Sequence, residues 1–179
     1  MNDTTAGKPV LTWFAGSLLL CSCAFTQRVM PITMTNANVV GVLNTIDQIE
    51  VDAGELGEEK AASPKVKSFA SRLAHEHKAS LQGRYPLAEK IDMDPQKPQL
   101  AMALEDMHGE STTLLQTKSG RDFDEAYIKD QIMLHEQMIK LLEDTEATMD
   151  QPELRQHLRY SRPDLLSHLS AARAVARQF

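Results

Sequence analysis

The spacing of the apolar residues constrains this chain more than any other feature. From Val39 to Val175 they recur at steps of three and four and almost nowhere in strict alternation. Such steps line one face of an α-helix, whereas a half-buried strand needs a period of two. The residue types agree with the spacing. Aromatics are only 5% of the chain, and Ala, Leu, Met, Glu, Gln and Lys, whose side chains lose little freedom in a helix, recur throughout. The expected fold class is all-α.

Punctuation divides the pattern into four long helices and one short one. The first spans about Asn38 to Ala62, on the stripe Val39, Val42, Leu43, Ile46, Ile49, Ala53 and Leu56. Gly54 and Gly57 interrupt it, each at about 1 kcal/mol relative to Ala, a cost that close approach of a neighbouring helix would offset. Ser63-Pro64 signals a restart, with Ser as N-cap and Pro in the first turn. The second helix carries Val66, Phe69, Ala70, Leu73, His77 and Leu81, and Pro86 should kink or end it near Arg84. Residues 92–98 read as a loop. The short helix holds Leu100, Ala101, Leu104 and Met107, with Gly109 weakening its continuation and Ser119-Gly120 closing the segment. The fourth runs from near Asp122 to about Met149 through Phe123, Tyr127, Ile128, Ile132, His135, Ile139 and Leu142. The fifth starts at Asp150 or Gln151 and carries Leu154, Leu158, Leu165, Leu169, Ala172 and Val175, with a break or kink expected at Pro163. No helix is apolar all round, so residues 39–177 should form one antiparallel bundle.

The N-terminal segment reads as an address. Val10 to Leu20 is an apolar run of secretory length, too short to span a membrane comfortably. Residues 1–24 are thus expected to be a signal peptide, with residues 25–38 as a linker and the product in the periplasm or at the outer membrane. Leu20-Cys21-Ser22-Cys23 resembles a bacterial lipobox, with Cys23 as the lipidated residue and a lipid anchor as the membrane link. Cleavage after Ala24 and an uncleaved short anchor are the alternatives.

Charge and motif content exclude several classes. The net charge is −6 with both signs interspersed, and no basic stripe offers itself to nucleic acid phosphates. Both cysteines, Cys21 and Cys23, lie in the leader, so no disulfide or thiolate metal site is available to the bundle. No P-loop, dinucleotide fingerprint or nucleophile elbow is present. No protein partner can be named from the sequence.

Three stretches together resemble domain-of-unknown-function family 4142. They are residues 49–80, with SPKVKSFASRLAHEHKAS at their end, residues 119–143, SGRDFDEAYIKDQIMLHEQMIKLLE, and residues 162–175, RPDLLSHLSAARAV. The Phe123-Asp124-x-x-Tyr127 opening and Pro163-x-x-x-x-His168 follow the family pattern. Where the family has an acidic pair before the helix-2 histidine, this chain has His75-Glu76 before His77. The resemblance implies a ferritin-like four-helix bundle with an additional short helix, and export. It implies no activity.

Independently, each long helix carries one possible metal ligand on its apolar stripe: Glu50, His77, His135 and His168. Helical bundles build metal sites from such inward side chains, and three imidazoles with a carboxylate suit Zn, Fe or Cu. The simpler expectation is a network of core histidines bonded to Tyr127, Glu50, Glu76, Asp130 or Asp164. His75 and His157 read as solvent-side. A di-iron site needs two Glu-x-x-His pairs, and only Glu105 to His108 exists. The leading expectation is therefore a non-enzymatic structural, stress-associated or partner-binding module of the cell envelope, with a metal-binding bundle as the alternative.

Overall fold

A computed structural model describes residues 34–179. The leader, Cys23 and the linker up to residue 33 lie outside the described residues. Five helices form: α1 (Asn36–Lys60), α2 (Pro64–Lys90), α3 (Gln99–Gln116), α4 (Gly120–Glu146) and α5 (Pro152–Ala176). Helix α1 begins earlier than the apolar pattern suggests, because Thr35 caps it and accepts from Asn38 N, so residues 36–38 are helix rather than linker.

Two apolar clusters fix the helix directions. One joins the start of α1 (Val39, Val42, Ile46), the end of α4 (Met138, Leu142) and the start of α5 (Leu154, Leu158). The other joins Ala61, which caps the end of α1, the start of α2 (Val66, Phe69, Leu73), the start of α4 (Phe123, Tyr127) and Ala172 of α5. Helices α1 and α5 therefore run one way and α2 and α4 the other. Contacts of α1 with α2 and α4, and of α5 with α2 and α4, make every neighbouring pair among these four helices antiparallel. Helix α3 carries the chain back along the outside of α1 and α4. This is a four-helix bundle with one crossover, the crossover being helical.

Neither internal proline ends its helix: α2 runs through Pro86 and α5 through Pro163. Each proline removes the hydrogen bond to the carbonyl four residues earlier, at Gln82 and Arg159 respectively. All four residues are exposed, so both defects lie on the solvent side while the packed face holds the helix together. Gly109 likewise does not stop α3, which continues to Gln116.

The glycines of α1 have the expected cause. A Cβ on Gly54 would lie 2.7 Å from Ala70 O, and one on Gly57 would lie 2.6 Å from Tyr127 Cζ and 2.7 Å from Ala70 Cβ. Their absence lets α1 and α2 approach at backbone distance. Gly57→Ala should lower the melting temperature, since overpacking of about 1–3 kcal/mol exceeds the gain of about 1 kcal/mol in helix propensity. Gly83→Ala, where the added carbon meets nothing within 4 Å, should raise it. Thermal melts of the two variants decide the point; a rise in both would contradict the close approach.

Candidate metal centre

Between the two apolar clusters lies a buried polar layer. On α1 it holds Asp47 and Glu50, flanked by Ile46 and Ala53. On α2 it holds His77 and Arg84, on α4 Gln131 and His135, and on α5 His168 between Leu165 and Leu169. Each sits on its helix's inward stripe, at three- and four-residue steps from core residues, so packing of the stripes carries the polar groups inward with them.

The three imidazoles meet. Their ring centroids are 5.2–5.9 Å apart, and one ligand nitrogen from each lies within 4.8 Å of the others. Each ring is held by one nitrogen. His77 Nδ1 lies 2.9 Å from Asp47 Oδ1, His135 Nδ1 lies 2.9 Å from the Gln131 carbonyl, and His168 Nε2 lies 2.5 Å from Glu76 Oε2. The other nitrogens, His77 Nε2, His135 Nε2 and His168 Nδ1, are buried with no protein partner. An unpaired buried polar atom costs about 1–3 kcal/mol, and three in one layer ask for an occupant.

Glu50 is fully buried beside them, with Oε1 3.4 Å from His135 Nδ1 and no hydrogen bond to either oxygen. That contact is not an ion pair. Burial, followed by the His77 charge, drives His135 down to about 3, so the ring is neutral. Burial raises the Glu50 carboxyl to about 7, against the pull of His77. His168 is lowered by burial despite Glu76. His77 goes the other way: burial pushes it down, but the Asp47 hydrogen bond and the charges of Glu50 and Asp47 prevail. Asp47 is lowered although burial opposes it, because His77 and Arg84 favour its charge; Arg84 Nη2 stands 2.6 Å from Oδ2.

Of the sequence-derived set, His77, His135 and His168 converge; Glu50 is not among the converging ligands but lies against the outer nitrogen of His135, and Cys23 is outside the described residues. Glu76, one of the proposed partners, binds His168, while Asp130 instead accepts from Ser111 Oγ at 2.7 Å. His75 is exposed as expected. His157 is not solvent-side: it is half-buried and accepts from Arg84 Nε at 3.4 Å. Asp47 and Arg84 escaped the sequence reading. Arg84 lies on the Leu73–His77 stripe, seven residues after the histidine, but the break expected at Pro86 hid it. Asp47 stands one helical step before Glu50 and gives no separate signal.

The Phe123-Asp124-x-x-Tyr127 motif serves the architecture. Asp124 Oδ1 and Oδ2 accept from Ala62 N (3.0 Å) and Ser63 N (2.8 Å), tying the α1–α2 turn to α4. Ser63 itself makes no side-chain cap.

Residues 23–175 match the family described as "Domain of unknown function (DUF4142)". No protein of curated function matches the sequence. Among solved structures the chain is similar to "CopM in the Cu(II)-bound form", with a TM-score of 0.62 and 14% identity over 81% of this chain and 97% of that one. At that identity the likeness establishes the shared helical-bundle fold.

Proposed function

The chain belongs to the DUF4142 family, whose description assigns no activity, and we propose that in this member the bundle binds a divalent transition-metal ion through His77, His135 and His168, with Glu50 beside them as the fourth group. The observation that carries the reading is the set of three unpartnered buried ring nitrogens within one layer. The opposite nitrogen of each ring is fixed by Asp47, the Gln131 carbonyl or Glu76, the arrangement by which outer partners orient ligating histidines. Tetrahedral bonds of about 2.05 Å place ligand nitrogens about 3.4 Å apart, so the rings need to close by only an ångström or so from the 4.8 Å limit. Three imidazoles and a carboxylate favour Cu(II) or Zn over hard cations. A Cu(II)-bound protein of the same fold is consistent with that choice. The geometry favours this reading over a purely structural module, in which the inner nitrogens would remain uncompensated.

The chemistry follows from the ligand set. Binding requires neutral imidazoles and an ionised Glu50, so the ion competes with the protons that His77 and Glu50 hold, and uptake weakens as the pH falls. The deciding experiment is elemental analysis of the protein purified without a metal-binding tag, beside His135→Ala/His168→Ala. Stoichiometric copper or zinc in the wild type, absent from a folded variant, is the expected result. No metal after reloading would overturn the proposal.

The N-terminal reading is also a proposal: the leader directs export and Cys23 carries a lipid anchor. Cys23→Ser should move the protein from the membrane to the soluble fraction. Unchanged fractionation would rule the anchor out.

A further inference from the structure

A cleft of about 620 Å³ lies between the helix pairs on the side of the polar layer towards the start of α1. Close-packed interiors rarely leave more than a water-sized void, whereas small-molecule sites are clefts of about 300–1,000 Å³ with apolar walls and a few polar groups. This one has an apolar floor and a polar rim from α2 and α5. Its apolar lining is Val42 and Ile46 from α1, Met138 and Leu142 from α4, and Leu158 and Leu165 from α5, each no more than 7% exposed, with Met34, Leu43 and Leu141 more open at the edge. From Val39 to Ile46 the α1 wall alone runs about 10 Å, at 1.5 Å per residue. At one end it reaches Asp47, Ser80, Arg84 and His157.

The hydrogen bonds at that end leave donors over. Arg84 uses Nε on His157, Nη1 on Asn44 Oδ1 (3.0 Å) and Nη2 on Ser80 Oγ (3.1 Å) and against Asp47 Oδ2 (2.6 Å), which leaves one Nη1 hydrogen. Ser80 accepts, so its own hydrogen remains, and among the described residues no acceptor takes it. His157 accepts at Nε2, so it is neutral with the proton on Nδ1; burial and the Arg84 charge both favour that state. The Asp47 oxygens face His77 and Arg84, at 2.9 and 2.6 Å. Arg84 is only 3% exposed, so a ligand head there is taken out of water.

We propose that this cleft is a binding site for a linear amphipathic carboxylate, its aliphatic tail along the α1, α4 and α5 walls and its carboxylate on the unspent donors of Arg84, Ser80 and His157. The cleft borders the histidine layer, with His77 and His168 in its lining, but the head group sits on Arg84, Ser80 and His157 and needs no bound ion.

The test is calorimetric titration of the full chain, in the presence of a chelator, with decanoate and with decanol. Decanoate should bind one to one and about tenfold or more tighter than decanol, the ratio that charged hydrogen bonds to one head group supply. Ser80→Ala should narrow that ratio while leaving decanol unchanged. Leu142→Trp, which fills the cleft, should lose both ligands. Absence of decanoate binding, equal affinity for the two ligands, or unchanged binding by a folded Leu142→Trp would each overturn the proposal. Should the tryptophan variant not fold, the wild-type comparison and Ser80→Ala decide alone. Chelation keeps the result separate from the metal reading.

Discussion

Replacing His135 by leucine should abolish metal binding while leaving the metal-free protein as stable as the wild type, or more so. Leucine fills a similar volume in a layer that is completely buried. The imidazole contributes little to the apo fold: its Nε2 is unpartnered, and its Nδ1 bonds the Gln131 carbonyl, which lies one helical turn back in the same helix. Removing an unsatisfied buried polar group costs nothing or gains, so the expected change lies within about 1 kcal/mol of zero or on the stabilising side. Metal reverses the ranking. At an ion concentration about 100 times Kd, the wild type gains about 2.7 kcal/mol, or about 8 °C in Tm for a chain of this size. The variant should gain nothing, since loss of even an outer partner weakens metal affinity by about 10- to 100-fold and loss of a ligand by more. Differential scanning calorimetry with and without Cu(II) or Zn measures both effects. A variant that melts well below the wild type without metal, in a wild type indifferent to metal, would make the histidines struts of the core.

The second large effect is on folding. Asp124→Ala should destabilise the bundle by about 4 kcal/mol, taking about 1.5–3 kcal/mol for each of the two hydrogen bonds that its carboxylate accepts. That corresponds to a fall of about 12 °C in Tm. Asp124 is 2% exposed, and it is the contact through which α4 holds the turn between α1 and α2. Asp124→Asn retains one acceptor oxygen and sets an amide against the second N–H, so it should fall between. Urea denaturation monitored by circular dichroism gives the values; a loss below about 1 kcal/mol from Asp124→Ala would mean that water replaces the carboxylate at the turn.

Much of the fold was legible because one physical signal repeats along the whole chain. The stripes of α1, α2, α4 and α5 were each readable, as was the Ser63-Pro64 restart. The misreadings share a cause. Pro86, Gly109 and Pro163 are strong breakers in isolation, but each sits on an exposed position, where solvent or open space absorbs the defect and the opposite face keeps its packing. The site was legible to the same depth. His77, His135 and His168 could be found because an imidazole on an apolar stripe must face the core. Arg84 could not, since its helix was expected to end there, and Asp47 looked like any other carboxylate of α1 until α2 brought His77 and Arg84 against it.

The sequence by itself determined that the chain is helical, where four inward stripes run, and that each carries one polar residue of ligand type, because the helical period follows from local spacing alone. It also determined the family resemblance and the acidic, cysteine-free character of the bundle. Only the tertiary structure decided that three imidazoles share one layer, that each keeps one nitrogen unpaired, and that a cleft ends at Arg84. Those properties depend on the axial register and direction of separate helices. Register is set by contacts between residues far apart in the chain, such as Glu76 with His168, 92 positions away, about which local periodicity carries no information.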